Sequence, residues 1–404
     1  MNSRRWSGVA GPLFLASSLS AVAAQPEYLI NPSLSIAAVV DDNIFGSPAE
    51  REHDYIARIS PAIEAEYRGS RVTLQAGYLQ DAELFLRHSE TNTAKARQYG
   101  VANGQFRSTP QLTFELETSY EESERPNDFD VVTGLAGTRA RASRAFVGPS
   151  MTYQFTPSTA AQLGYHYSKD RVKDGIGSWT DIWHVGTSHR FSARNTGLLT
   201  YEYQEFSFAN LTEPVEAQVV LAGDTYSFSE RTSMTLLAGP RFTQESPLSE
   251  ESTDIDVSAQ FRQFYETGEL EVNYYRSQQT AINVLGLVDN HTFNFAVVYF
   301  PERLLEFRIM PQYGKSTLGS REATGYQLNI EVSKYLDRSL SLVAGYQYTQ
   351  QEGTLNDLGG DRVRRNIVLV GLVYAPFALG KDGTMLLDNR TKVREGLLPR
   401  LDIR

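Results

Sequence analysis

The chain has 404 residues, 41% hydrophobic and 11% aromatic, with a formal net charge of −10 and no cysteine. That composition excludes a disulfide framework, a thiolate metal site and a cysteine nucleophile, and the acidity argues against nucleic-acid binding, which rests on phosphate neutralisation. Mean hydropathy is −0.35, and no stretch reaches the roughly 18 consecutive apolar residues that a transmembrane helix needs.

Residues 1–24 read as a cleaved signal peptide. Arg4 and Arg5 form its positive start, Val9 to Leu19 a short apolar core interrupted by Pro12, and Ala21-Val22-Ala23-Ala24 a small-residue cleavage region. Removing it leaves the mature chain more acidic still.

From about residue 33 to Phe377, apolar and polar residues alternate, and a tight polar turn resets the pattern about every 36 residues. The turns read Arg68-Gly69-Ser70, Ser108-Thr109-Pro110, Thr156-Pro157-Ser158, Ser192-Ala193-Arg194-Asn195, Ser229-Glu230-Arg231-Thr232, Glu266-Thr267-Gly268, Pro301-Glu302-Arg303 and Asp337-Arg338-Ser339. Between them lie nine longer connections, near 41–53, 82–95, 122–139, 169–178, 207–213, 245–252, 279–289, 316–322 and 352–362, read as solvated outer loops. Strands of about 11 to 14 residues exceed the usual soluble strand and suffice to cross a bilayer obliquely. Aromatics such as Tyr78, Tyr120, Tyr153, Tyr165, Phe206, Phe242, Tyr299, Tyr313 and Tyr374 gather near strand ends, as interfacial girdles would. The expectation is an all-β chain forming a single transmembrane antiparallel β-barrel of about 18 strands (16–18) over residues 25–377. Residues 378–404 follow as a periplasmic C-terminal tail. A barrel that wide leaves an aqueous channel.

If alternate residues face lipid, the water-facing set includes Glu115, Glu117, Glu202, Gln204, Arg241, Asp254, Asp256, Gln260, Arg262, Glu271, Asn273, Glu306, Arg308, Gln327, Asn329 and Glu331. Acids outnumber bases there, which favours cations over anions; pairing of wall charges across strands is the alternative. The six histidines (His53, His88, His166, His184, His189 and His291) show no metal-ligand spacing. His166 and His184 face each other across one hairpin and read as hydrogen-bonded wall residues. No catalytic residues, metal site or cofactor are implied.

The first hairpin carries Asn31-Pro32-Ser33-Leu34-Ser35-Ile36, Asp41-Asp42-Asn43-Ile44-Phe45, and then Ile59-Ser60-Pro61. Over residues 31–70 this resembles the outer-membrane β-barrel porin family associated with bacterial exopolysaccharide biosynthesis and export loci. Strand number is also similar to that of alginate exporters. The resemblance implies passage of an exopolysaccharide across the bacterial outer membrane, with no catalytic activity. It implies as partners outer-membrane lipid and lipopolysaccharide, a polysaccharide substrate, a periplasmic polysaccharide-export protein and the barrel-assembly machinery. A passive diffusion porin for small hydrophilic solutes is the other reading, and an inward-folded loop would favour it; none of the loops reads as clearly long enough. Asp41, Asp42 and Asn43 either turn the chain into the outer loop or form a calcium or lipopolysaccharide-bridging site. Pro61, lacking a donor, marks an interruption of the ladder. The last strand ends on Ala375-Pro376-Phe377, and the basic tail after it reads as a disordered extension, a plug or a docking strand.

Overall fold

A computed structural model describes residues 27–125, 132, 140–209, 211–244, 251–355 and 362–376. The signal peptide and the tail after residue 377 lie outside the described residues. Eighteen strands run in order: β1 (Glu27–Asp41), β2 (Asp54–Arg68), β3 (Val72–Phe85), β4 (Thr93–Arg107), β5 (Leu112–Ser123), β6 (Ala142–Thr156), β7 (Thr159–Val172), β8 (Ser178–Arg190) and β9 (Asn195–Phe208). They continue with β10 (Val215–Ser229), β11 (Thr232–Thr243), β12 (Ser252–Tyr265), β13 (Gly268–Thr280), β14 (Leu287–Glu302), β15 (Leu305–Leu318), β16 (Arg321–Tyr335), β17 (Leu340–Gly353) and β18 (Arg362–Tyr374). Each pairs antiparallel with its chain neighbours, and β18 pairs with β1, so each described strand has partners on both sides and the barrel is closed.

Strands of 12 to 16 residues, at about 3.4 Å per residue and tilted about 45°, cover a hydrocarbon layer about 30 Å thick. The side chains are arranged inside out relative to a soluble sheet. On β1, Asn31, Ser33 and Ser35 are buried while Ile30, Leu34 and Ile36 are exposed. Trp183, Val185, Val370 and Leu372 likewise stand about half exposed on the outer wall. A continuous apolar belt of that extent is stable only against lipid, and closure leaves no backbone edge for lipid to face.

All eight short turns fall where the polar resets place them, and short turns mark the periplasmic end. One outer connection is shorter than expected. The loop expected near 316–322 is only Gly319-Ser320, a tight turn that Gly319 permits with φ of 58°.

The β1–β18 seam pairs over eight positions, from Leu34 with Tyr374 to Asp41 with Ile367. The Asp41-Asp42-Asn43 motif locks its outer end. Asp41 is 1% exposed and accepts from Arg365 Nε at 3.0 and 3.1 Å, with Arg365 Nη2 closing the fork. Asp42 accepts from the N–H and the Nδ2 of Asn366, each at 2.6 Å. Asn43 Nδ2 donates to the carbonyls of Ser47 and Arg364, both at 2.9 Å. Both carboxylates are thus engaged in closing the barrel. Pro61 interrupts pairing without a register slip: Ile59 pairs with Ala82 and Ala62 with Leu79, and Ser60 and Pro61 are passed over.

Candidate channel lumen

Strand alternation puts sixteen sequence-expected residues on the inner face: Glu115 and Glu117 on β5; Glu202 and Gln204 on β9; Arg241 on β11; Asp254, Asp256, Gln260 and Arg262 on β12; Glu271 and Asn273 on β13; Glu306 and Arg308 on β15; and Gln327, Asn329 and Glu331 on β16. Their outward neighbours, including Leu116, Tyr201, Phe242, Ile255, Ile309 and Tyr326, are exposed apolar residues. Phe206, read from sequence as a girdle residue, instead points inward and is buried, as are Phe208 and Phe146.

Described loop residues pack against the inner wall in the outer half of the barrel, which is the largest departure from the sequence reading. The β13–β14 connection, expected to be solvated, carries Ala281, Ile282, Val284 and Leu285, and the first three are buried. Leu285, with Leu287 at the start of β14, packs with Phe206, Phe208, Val215 and Ala217 from the inner faces of β9 and β10. Ala281 and Val284 pack with Val288, Ala323, Leu355 and Val132. Val132 belongs to the β5–β6 connection, yet it sits over Gly314 on the inner face of β15, where a Cβ would collide with its Cγ2. β15 lies on the far side of the ring from β5 and β6. Val132 is therefore seated on the wall opposite the strands its connection joins.

The geometry of β13 explains how its hairpin leans inward. The β12–β13 ladder ends at Val257 with Arg276; beyond it, residues 277–280 pair only with β14. Side chains then hold the hairpin down. Thr243 Oγ1 donates to Gln278 Oε1 at 3.0 Å, and Arg241 Nη2 donates to Asp289 Oδ1 at 2.6 Å. The N–H of Ile176, in the β7–β8 turn, donates to Asn283 Oδ1 at 2.8 Å. Asn283 itself has φ of 58°, a conformation its short polar side chain tolerates.

Arg241 is the hub of this arrangement. It is 2% exposed, with Nη1 at 2.5 Å from Asp256 and Nη2 at 3.4 Å from Asp254, in addition to its bond to Asp289. Each arginine buried among the described residues (Arg58, Arg97, Arg125, Arg241, Arg308 and Arg365) lies against a carboxylate. By contrast Glu202 accepts from the neutral amide of Gln204 at 2.7 Å and Glu115 from Gln105 at 2.8 Å, while Glu117 is exposed to the lumen. The wall arginines are thus neutralised in place, and the surplus facing water is acidic. His166 and His184 do meet, with ring centroids 4.9 Å apart, and Phe146 lies 5.6 Å from His166. Residues such as Arg144 with Asp170, at 2.7 and 2.8 Å, were not singled out from sequence although cross-strand charge pairing signals them.

Loop-to-loop bonds also order the rim. His88, in the β3–β4 connection, places Nδ1 at 2.8 Å from Asp54 and Nε2 at 2.6 Å from Glu52. The hydrogen bond to Asp54, followed by that to Glu52, raises the pKa of His88 above its ordinary value despite some desolvation.

An even-stranded, closed antiparallel barrel with an apolar outer belt, aromatic girdles and a polar inner face defines a bacterial outer-membrane β-barrel protein. No protein-family model and no curated protein matches the chain. Among solved structures it is similar to OpdQ of Pseudomonas aeruginosa, at 10% identity over 86% of this chain and 98% of that one, with a TM-score of 0.44. It is similar to OccAB4 of Acinetobacter baumannii at 9% identity, over 88% of this chain and 99% of that one, with a TM-score of 0.45. A BenF-like porin from Pseudomonas fluorescens Pf-5 gives 9% identity over 86% and 98%, with a TM-score of 0.43. Likeness at that level carries no argument about what passes through this lumen.

Proposed function

We propose that the protein is a passive diffusion channel for small hydrophilic solutes, with a preference for cations. The observation that carries this reading is the seating of Val132, from the β5–β6 connection, on Gly314 of the opposite wall, together with the inward β13–β14 hairpin. A mouth occupied by the chain's own loops suits solutes of a few ångströms; a polymer conduit calls for an unobstructed bore. The cation preference rests on Glu115, Glu117 and Glu202, whose hydrogen-bond partners are neutral where any is made, beside arginines already matched to carboxylates. The exopolysaccharide expectation gains no support: the Asp41-Asp42-Asn43 motif that suggested it works at the barrel seam.

Liposome swelling with sugars of graded size tests the reading. Rates should fall steeply from monosaccharide to trisaccharide. Swelling that is independent of size up to long oligosaccharides, or a loss of surface polysaccharide on gene deletion, would remove it.

A further inference from the structure

The inner wall differs from one side of the barrel to the other, and one arc is buried where no described segment lies over it. On β2, β5, β9 and β13 the inward residues toward the periplasm are long and half-exposed, Glu64, Glu115, Glu202 and Glu271 among them. From β16 through β18 to β1 they are mostly small and buried. Tyr335, Ser341, Val373, Ser35 and Ser60 are neighbours in the ladder, and none is more than 5% exposed. The next row runs through Ser333, Val343, Gly371 and Ala37. At the outer end of this arc Ile44 and Phe45 of the β1–β2 connection pack on it. Toward the periplasm no described strand crosses it, and an 18-stranded bore is too wide for the opposite wall to reach it.

We propose that the chain's own C-terminal segment, residues 378–404, turns back into the barrel and lies along this trough. The wall itself calls for a partner. Asn31 Oδ1 and the hydroxyls of Ser33, Ser35 and Ser60 are buried with no hydrogen-bond partner among the described residues, and Asn31 is 1% exposed. Buried polar atoms are ordinarily paired, and the backbone of an inserted segment supplies both donors and acceptors. A wall of serine, alanine and glycine also stands lower than a wall of glutamates, which leaves room for a chain to lie on it.

Position, length and composition select this segment. The Ala375 N–H donates to the Ser339 carbonyl at 2.7 Å, which fixes the exit of the chain at the periplasmic rim of the same arc. Extended, residues 378–404 reach up to about 90 Å, whereas β1, the length of the trough, covers about 50 Å. Leu386-Leu387 and Leu397-Leu398 supply apolar cover for Val343 and Val373 and are out of place in a solvated extension. Six cations against four acids suit a lumen whose water-facing surplus is acidic. Seated there, the segment narrows the bore from one side and leaves water the acidic arc. The placement does not depend on which solute passes.

The chain has no cysteine, so single cysteines report accessibility without background. Ser33→Cys and Ser341→Cys mark the trough, and Thr200→Cys marks the wet wall of β9. Each is made in the full chain and in a chain ending at Phe377, and reaction with a water-soluble maleimide is timed in detergent. The two trough cysteines should react slowly in the full chain and about tenfold faster or more after truncation, while Thr200→Cys reacts alike in both. A photo-crosslinking residue at Leu387 or Leu397 of the full chain should join the segment to peptides of β16, β17, β18 or β1, a result that needs no truncated barrel to fold. Fast labelling of the trough in the full chain would overturn the proposal. So would protection that survives truncation, which would assign the cover to the wall or to residues before Glu27, and so would crosslinks confined to other chains.

Discussion

Followed from the periplasm outward, single strands change character within the lumen. On β5, Glu115 is half-exposed and Glu117 exposed, whereas Glu121 and Ser123 further out are buried. On β9, Thr200 and Glu202 are half-exposed, and Gln204, Phe206 and Phe208 are buried. On β2, Glu64 and Glu66 are half-exposed, and Ser60, Arg58 and Ile56 are buried. Along these strands the periplasmic half is therefore a wet, acidic vestibule, and the outer half is packed. The arc from β15 through β18 to β1 departs from this gradient: Glu306 and Arg308 on β15 are buried at the periplasmic end, and the inner faces of β16, β17, β18 and β1 are buried along their length. Under the proposed function, solute selection falls at the outer mouth, where apolar loop residues pack against the wall, and charge preference falls below it, where carboxylates meet water.

The most severe way to break the contrast is to remove the hairpin tip. Replacing residues 281–286 by a Gly-Ser turn should raise single-channel conductance severalfold in planar bilayers and admit trisaccharides that the intact protein retards. An unchanged conductance would show that the tip does not limit flow. Next in size is Arg241→Ala, which leaves Asp256 buried without its base and releases Asp289 on the hairpin. Breaking a buried pair from one side costs about 3–5 kcal/mol, so thermal unfolding in detergent should move down markedly, with added gating noise. Arg68→Ala, at the vestibule end, removes a bridge from a half-exposed arginine to Glu66, which keeps its bond from Gln75, and should cost only about 1 kcal/mol. Equal effects at the two ends would erase the distinction.

A smaller effect sharpens the electrostatic half of the comparison. Glu115→Gln with Glu117→Gln should lower the cation-to-anion permeability ratio, read from reversal potentials in a salt gradient, by about twofold without changing conductance greatly. A ratio unmoved by this pair but reduced by Glu202→Gln would shift the charge filter upward to the edge of the packed region.

The vestibule was far more legible in the sequence than the mouth. Period-two alternation settles which way Glu115 or Glu271 faces, because a strand offers only two faces. Polar turns such as Arg68-Gly69-Ser70 mark where strands reverse. What alternation cannot show is where a loop goes after it leaves the wall. The run Ala281-Ile282-Asn283-Val284-Leu285 is too apolar for a solvated loop, and that was the available signal. Its seat against Phe206 and Phe208 depends on strands brought near only by closure. The Arg241–Asp289 bond joins β11 to β14 by passing over two strands, which no cross-strand register predicts. The opening motif shows the same limit from the other side: Asp41 and Asp42 looked like loop or metal residues because their partners, Arg365 and Asn366, lie at the opposite end of the chain.

The least perturbing probe acts on the rim that carries the packed mouth. His88 links the β1–β2 and β3–β4 loops through Glu52 and Asp54. Because its folded-state pKa is raised above the ordinary 6.5, its contribution is fully present below that value and is lost as pH rises through the folded pKa. Loop cleavage by a protease active across this range should therefore be slower at pH 6 than at pH 9, by a modest factor, since the group sits near solvent. In His88→Gln the pH dependence should flatten, while the periplasmic turns, which lack this linkage, should be cut at a rate independent of His88. If the variant retains the full pH dependence, the rim is ordered by other contacts, and the difference between mouth and vestibule arises from apolar packing alone.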